Sequence, residues 1–313
     1  MFTISLPIGY NETKGRRPFR WGGIISQGLL VLGSALMAFP LLYQLLASFC
    51  TPAAFTRSGW FPLPDSFYLG NYTQVLLAVQ VGNLPGWFAN TLIRMAWYIL
   101  VPATVAVLGG YIFARLRWRG REVMFIVLLA SMTIPPIVYL LPQYLMLARW
   151  PLAGGNDLLG QGGHGFINEW PALLLPNLVN AYYIFLMRQT FYTIPTDYED
   201  AARVDGASTL RILWSVYLPM LKPALIVLVI FQSIAIWNDY LWPLAAVGGN
   251  QDLWTLALGV QRAMTTITDP HSHQFSYPLA FTLAAVITLP LVLLFLFLQR
   301  YFTEGVQGFG LKG

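Results

Sequence analysis

Three groups of polar residues have types and spacings that could do chemistry. Asp269, His271 and His273 form a D-x-H-x-H run, in which alternate residues of a strand could chelate a metal. No third group stands nearby to complete a coordination shell, and His164 stands alone. No metal site and no catalytic set is therefore expected. Asp239, beside Asn238 and Trp237, is an acid near the end of an apolar run. Such an acid is a functional candidate, although reaching water or capping a helix would also account for it. The third group is the largest. Residues 196–223, TDYEDAARVDGASTLRILWSVYLPMLKP, hold Asp197, Glu199, Asp200, Arg203, Asp205, Arg211 and Lys222 between two strongly apolar segments. No other stretch of this length carries as many charges, so it must sit in water beside a membrane that the rest of the chain occupies.

Local signals in this stretch predict helix, break, helix. Thr196 with Glu199 three residues on is a capping-box pattern, preceded by Pro195. Asp197, Glu199 and Asp200 suit the positive end of the helix dipole. Gly206 stops the first helix. Ser208 can cap a second run from Thr209 to Leu218, which Pro219 is expected to close. A helix showing the small side chains of Ala201 and Ala202 can enter a partner's cleft closely. Asp200 and Glu199 can then approach basic or amide donors on that partner.

The elements that position this loop follow from composition. Hydrophobic residues make up 57% of the chain and charged residues only 10%, against about 25% charged in a soluble domain. Apolar runs at about 22–48, 95–114, 123–148, 170–187, 223–247 and 274–299, charge-free except that the fifth continues past Asp239, are each close to the ~20 residues that cross a bilayer as helix. The first run is too long for a signal-peptide core, and no small-residue cleavage site is evident. The expectation is an all-α membrane protein of six spans. Its parts are a cytoplasmic segment 1–21, a membrane domain 22–300 with an external loop 248–273, and a cytoplasmic tail 301–313. Pro135, Pro136 and Pro176 should kink or break spans three and four, either as static kinks or around a cavity. Gln232 and Ser233, mid-span in the fifth run, can line a polar pathway or hydrogen-bond between helices. The single cysteine, Cys50, excludes an internal disulfide.

With the N-terminus inside, Lys14, Arg16, Arg17, Arg20, Arg115, Arg117, Arg119, Arg121, Arg188, Arg203, Arg211, Lys222, Arg300 and Lys312 all face the cytoplasm. These are 14 of the 18 basic residues, as the positive-inside rule requires. The net charge of +5 is thus spread over four cytoplasmic segments. It reflects topology and not a nucleic-acid surface.

The loop resembles the EAA loop of ABC-transporter permeases. It matches at Asp200, Ala201, Ala202, Gly206, Val216, Leu218 and Pro219, with Asp200 where Glu is usual and Val216 where Ile is usual. From about Phe61 onward the chain is similar to the six-span, maltose-type permease of binding-protein-dependent sugar importers. The WNDY run Trp237–Tyr240, the LWTLALG stretch at 253–259 and the glycine-rich tail QRYFTEGVQGFGLKG at 299–313 carry that similarity. The glycine-rich loop 149–170 is longer than the family leads one to expect.

The resemblance implies a multi-pass subunit in a bacterial or archaeal cytoplasmic (inner) membrane. It would pair with a second permease, two ATPase copies and an external solute-binding protein. The 196–223 loop would couple ATP to alternating access through Glu199, Asp200, Ala201, Ala202, Asp205, Gly206, Leu218 and Pro219. The tail, with Gly308, Gly310, Lys312 and Gly313, would reach the ATPase interface. Gln232, Ser233, Asn238 and Asp239 are the pathway candidates. No GxxxxGK[ST] loop occurs, so ATP and Mg would be bound by partner subunits, and the chain itself would be neither an enzyme nor a cofactor holder. The cargo would be a sugar or oligosaccharide, with glycerol phosphate or an acidic oligosaccharide as alternatives. An ion-coupled secondary transporter would need mid-span acids, which are absent. A membrane enzyme would have to rest on the external histidines.

Overall fold

The computed structural model describes residues 21–77, 82–268 and 274–309. The Asp269, His271 and His273 run lies outside them, as do Gly310, Lys312 and Gly313. Among the described residues the secondary structure is helical and no β-strand forms, as the apolar runs require.

Three helices are long and apolar enough to cross a membrane alone. They are α1 (Trp21–Ser48), α2 (Leu84–Ala114) and, last in the chain, the helix Tyr277–Phe309. α2 begins where Asn83 accepts a hydrogen bond from the Gly86 amide, 3.1 Å away, with Pro85 in its first turn. It therefore starts earlier than the charge-free run at 95–114 suggests.

The third and fourth runs are not continuous helices. The third is α3 (Arg121–Ser131) and α4 (Pro136–Ala148), bent by 98° at their junction. Pro135 and Pro136 lack the amide hydrogens that would carry α3 onward. The fourth is α5 (Trp170–Leu174) and α6 (Ala181–Thr193). Pro176 lies between them, and Asn177 has a φ of 56° that a helix cannot hold. The charged 196–223 loop carries α7 (Asp197–Val204) and α8 (Thr209–Ile212). The fifth run is α9 (Lys222–Asn238) and α10 (Leu241–Val247). α11 (Leu256–Ala263) follows, and α12 is Tyr277–Phe309. α12 continues through Gly305 and Gly308, so that part of the expected thin tail is helix.

α2 is the central post. It packs against α6 and α9, while α1 and α9 pack against α12. The α2–α6 contact is close because Gly110 faces Met187. A Cβ at Gly110 would come within 2.5 Å of the Met187 Cβ. Small residues allow such approach where no water drives helices together. A buried cluster including Tyr111, Met187, Phe191, Ile212 and Tyr217 sits beneath the charged loop. A second, including Trp87, Trp237 and Leu256, lies towards the other end. The glycine-rich 149–170 loop is a folded cap. Asn156 donates to the Ala148 and Trp150 carbonyls, at 2.9 and 3.0 Å, and the Asn168 amide donates to the Ala246 carbonyl.

Candidate coupling site

α7 is an amphipathic helix turned so that one acid faces inward. Glu199 is buried. It accepts hydrogen bonds from Tyr217 Oη at 2.6 Å, from Arg203 Nη2 at 2.7 Å and, longer, from Tyr111 Oη at 3.4 Å. Burial works against its ionisation. The bonds from Tyr217 and Arg203, with the charges of Arg203 and Arg115, outweigh that effect and hold its carboxyl below the usual carboxylate range. Glu199 therefore has its donors inside this chain, rather than on a partner as its position in the motif suggested. It also makes no capping box. Thr196 is itself helical in conformation and its side chain caps nothing, and the Glu199 side chain turns instead to Tyr217.

The two alanines divide in the same way. Ala201 is exposed, whereas Ala202 is half-buried against the Tyr111, Phe191 and Tyr217 cluster. α7 ends in a Schellman motif. The Gly206 amide donates to the Arg203 carbonyl and the Ala207 amide to the Ala202 carbonyl, both at 3.0 Å. Gly206 takes the left-handed φ of 78° that this stop requires. Ser208 caps α8, its Oγ accepting from the Arg211 amide. Pro219 does not close the second run, as local signals suggested. The chain passes through a π-helical stretch, Leu213–Tyr217, and a short turn, Leu218–Met220, then turns 75° into α9. Pro219 has no amide hydrogen for the ladder, so the carbonyl register shifts before it.

Arginines lock the base of the loop. Arg115 donates to the Phe191 carbonyl at 2.7 Å and to the Ile194 carbonyl, satisfying the end of α6. Its guanidinium also lies 5.2 Å from the Tyr217 ring centre. Arg188 Nη2 reaches both carboxylate oxygens of Glu122, at 2.9 and 2.8 Å, and its Nε donates to the Phe113 carbonyl. These contacts tie α2, α3 and α6 into one platform under α7. From the sequence Arg115 and Arg188 read only as topology charges, and nothing there singles out Tyr111 or Tyr217. The Glu199–Arg203 spacing of four was the one legible sign of this network.

The outward face is left apolar and acidic. Val204 is 88% exposed, Trp214 76% and Leu210 74%. Tyr198, Asp197, Asp200 and Asp205 lie on the same loop and are also exposed. Bulky apolar side chains left exposed on an anchored base are the mark of an interaction surface.

The pathway candidates separate. Asp239 pairs with buried Arg94 at 2.6 Å, and Arg94 also donates to the Leu173 carbonyl at 3.3 Å. Asn238 is exposed and bonds back to the Ile234 carbonyl. Gln232 and Ser233 are buried within the chain, and Ser233 Oγ has no hydrogen-bond partner among the described residues. Gly308 lies in α12.

The described residues thus form a helical domain with helices long and apolar enough to cross a membrane, carrying a firmly anchored loop whose outer face is exposed. Residues 106–308 match the family described as binding-protein-dependent transport system inner membrane component. The chain belongs to that family. It is 29% identical over 291 residues to the arabinooligosaccharides transport system permease protein AraQ of Halalkalibacterium halodurans, covering 91% of this chain and 96% of that one. The diacetylchitobiose uptake system permease protein NgcG of Streptomyces coelicolor is 27% identical, with 90% and 87% covered. The sn-glycerol-3-phosphate transport system permease protein UgpE of Brucella suis is 28% identical, with 90% and 95% covered. The fold matches a chain of a bacterial ABC transporter involved in import of the acidic polysaccharide alginate. That match has a TM-score of 0.74 at 24% identity and covers 91% and 99% of the two chains.

Proposed function

We propose that this chain is one of two membrane subunits of an ATP-driven importer in a bacterial or archaeal inner membrane. The machine moves a sugar or oligosaccharide into the cytoplasm by alternating access. Two ATPase subunits bind ATP and Mg, and an external binding protein delivers the solute. Six spans, three of them broken or bent, put both termini and residues 196–223 in the cytoplasm. The end of the chain, with Gly308, Gly310, Lys312 and Gly313, lies at the ATPase interface. The observation that carries the reading is α7. Its inner face is locked to the membrane domain through Glu199, while Tyr198, Asp200, Ala201 and Val204 are left for a partner. Closure of an ATPase dimer pulling on that face would move α2, α6 and α9 together.

Two measurements test this. In a functional cysteine-substituted chain, Ser208→Cys should label only from inside and Thr265→Cys only from outside. Asp200→Lys combined with Val204→Asp should leave insertion intact, abolish co-purification of the ATPase and stop uptake into ATP-loaded vesicles. Full attachment with full transport would refute the coupling role.

A further inference from the structure

The turn between α2 and α3 reads RLRWRGRE over residues 115–122, so that four of the chain's 18 basic residues fall within seven positions. Topology accounts for basic residues beside apolar runs, but not for their gathering at one turn. Two of the four are used within the fold. Arg115 ties down the end of α6. Arg121 donates from Nε to Glu122 at 3.0 Å and from Nη1 to the Leu116 carbonyl at 3.1 Å. The other two, Arg117 and Arg119, are exposed, and their side chains make no hydrogen bond or ion pair among the described residues.

An open recess of about 390 Å³ lies at this turn, lined by Arg117, Trp118, Gly120, Arg121, Glu122 and Val123. Glu122 is the one acid in its wall, and both Arg121 and Arg188 pair with it. The recess is therefore left with an excess of positive charge. What lies beside the arginines identifies the anion. Trp118 is half-buried, its ring 6.0 Å from that of Phe113, at the end of an apolar helix where tryptophan favours the membrane–water boundary. From the recess α3 runs on with Val123, Ile126 and Val127 exposed. Their i, i+3, i+4 spacing puts them on one face, while Phe125 packs inward. Guanidinium groups, then an indole, then an apolar stripe follow the order of phosphate, interface and acyl chain in a phospholipid. A soluble anion would use the arginines and leave the stripe bare. A protein helix packed on the stripe would need acids opposite the arginines at its end.

We propose that this recess binds the headgroup of an anionic phospholipid. Arg117 and Arg121 would hold the phosphate by charge-assisted hydrogen bonds, Arg119 would add to the attraction, and an acyl chain would lie along Val123 and Val127. Glu122 joins this turn to Arg188, so the headgroup would sit against the platform beneath α7. The proposal rests on α2 and α3 lying in the membrane and on nothing about the cargo.

The test uses the intact transporter, purified in detergent and stripped of lipid, with bound phospholipid counted by native mass spectrometry. Phosphatidylglycerol should bind the wild type more tightly than phosphatidylcholine. Arg117→Gln combined with Arg119→Gln should weaken phosphatidylglycerol binding about thirtyfold, at about fivefold for each arginine, and leave phosphatidylcholine unchanged. Arg117→Lys with Arg119→Lys keeps the charge and should restore most of the affinity. Arg57→Gln with Arg262→Gln removes the same charge from two exposed sites elsewhere and should change little. Equal binding of the two lipids would overturn the proposal. So would an equal loss in the Arg57 and Arg262 pair, which would reveal a response to net charge alone. Displacement of phosphatidylglycerol by inorganic phosphate at constant ionic strength would show a soluble-anion site instead. None of these outcomes bears on the labelling, co-purification and uptake measurements, so the importer reading stands or falls separately.

Discussion

Replacing Glu199 with Ala removes the group that holds α7 against the rest of the chain. The substitution strands Tyr217 Oη, which is fully buried and donates to Glu199 at 2.6 Å. A charge-assisted bond of this kind contributes ~1.5–3 kcal/mol, and a buried donor left unsatisfied costs ~1–3 kcal/mol. The two figures describe one loss from opposite sides, so about 2–3 kcal/mol is expected in total. Arg203 approaches the same carboxylate from the surface, where water and salt screen it, and adds little. The ratio of docked to undocked α7 should fall roughly 30- to 150-fold, at 1.4 kcal/mol per factor of ten. Hydrogen exchange of the 197–204 amides in the purified chain reads this directly, since local opening sets their protection. Glu199→Gln, which keeps an acceptor but loses the charge, should fall between wild type and Glu199→Ala. Tyr217→Phe combined with Glu199→Ala should cost less than the sum of the two single changes, because the partners share one interaction. The pH dependence follows from the direction of the shift. A carboxyl held below its ordinary pKa of 4.5 contributes fully above that value and loses its contribution as the pH falls through the lower, folded-state pKa. Protection of α7 should thus be flat from neutral pH down to about 5 and decline only in stronger acid. Unchanged protection in Glu199→Ala would refute the anchoring role.

Gly206→Val forces a β-branched residue into a left-handed conformation at a cost of about 1–2 kcal/mol. No neighbour lies within 4 Å of the added Cβ, so the effect is conformational and not a clash. Insertion should be normal, ATPase attachment weakened and uptake lost, with Gly206→Asn milder when co-purification and vesicle uptake are measured. Ala201→Trp should block the ATPase while leaving α7 protected from exchange, whereas Ala202→Trp should disrupt the packing beneath α7 and lower its protection. Asp239→Leu leaves Arg94 buried and uncompensated, and should lower stability by ~3–5 kcal/mol in a thermal assay in detergent. Removing both charges, as Arg94→Met with Asp239→Leu, should recover much of that loss.

Signals confined to a few neighbouring residues, or summed over a whole run, were legible in the sequence. The apolar runs set the membrane class, because no water is present there to satisfy backbone groups other than within a helix. Gly206 as a stop, Ser208 as a cap and the proline breaks at 135, 136 and 176 were readable because each acts within one turn of chain. The Asp200, Ala201, Ala202 and Gly206 spacing marked the loop for the same reason. The structure decided whatever depended on distant partners. The i,i+4 pairing of Glu199 with Arg203 places them on one face of α7 but does not say which face turns inward. Tyr111, 88 residues away, and Tyr217, 18 away, decide that. The same inward turn separates Ala202 from Ala201. Asp239 remained open between solute contact and structure until folding brought Arg94 to it across 145 residues. The breaks in the third and fourth apolar runs were each visible alone, but only their packing side by side makes a cavity with Gln143 in its wall. Local chemistry writes helices, stops and breaks along the chain. Which side of a helix is buried, and which two breaks meet, depends on contacts whose sequence separation no local pattern encodes.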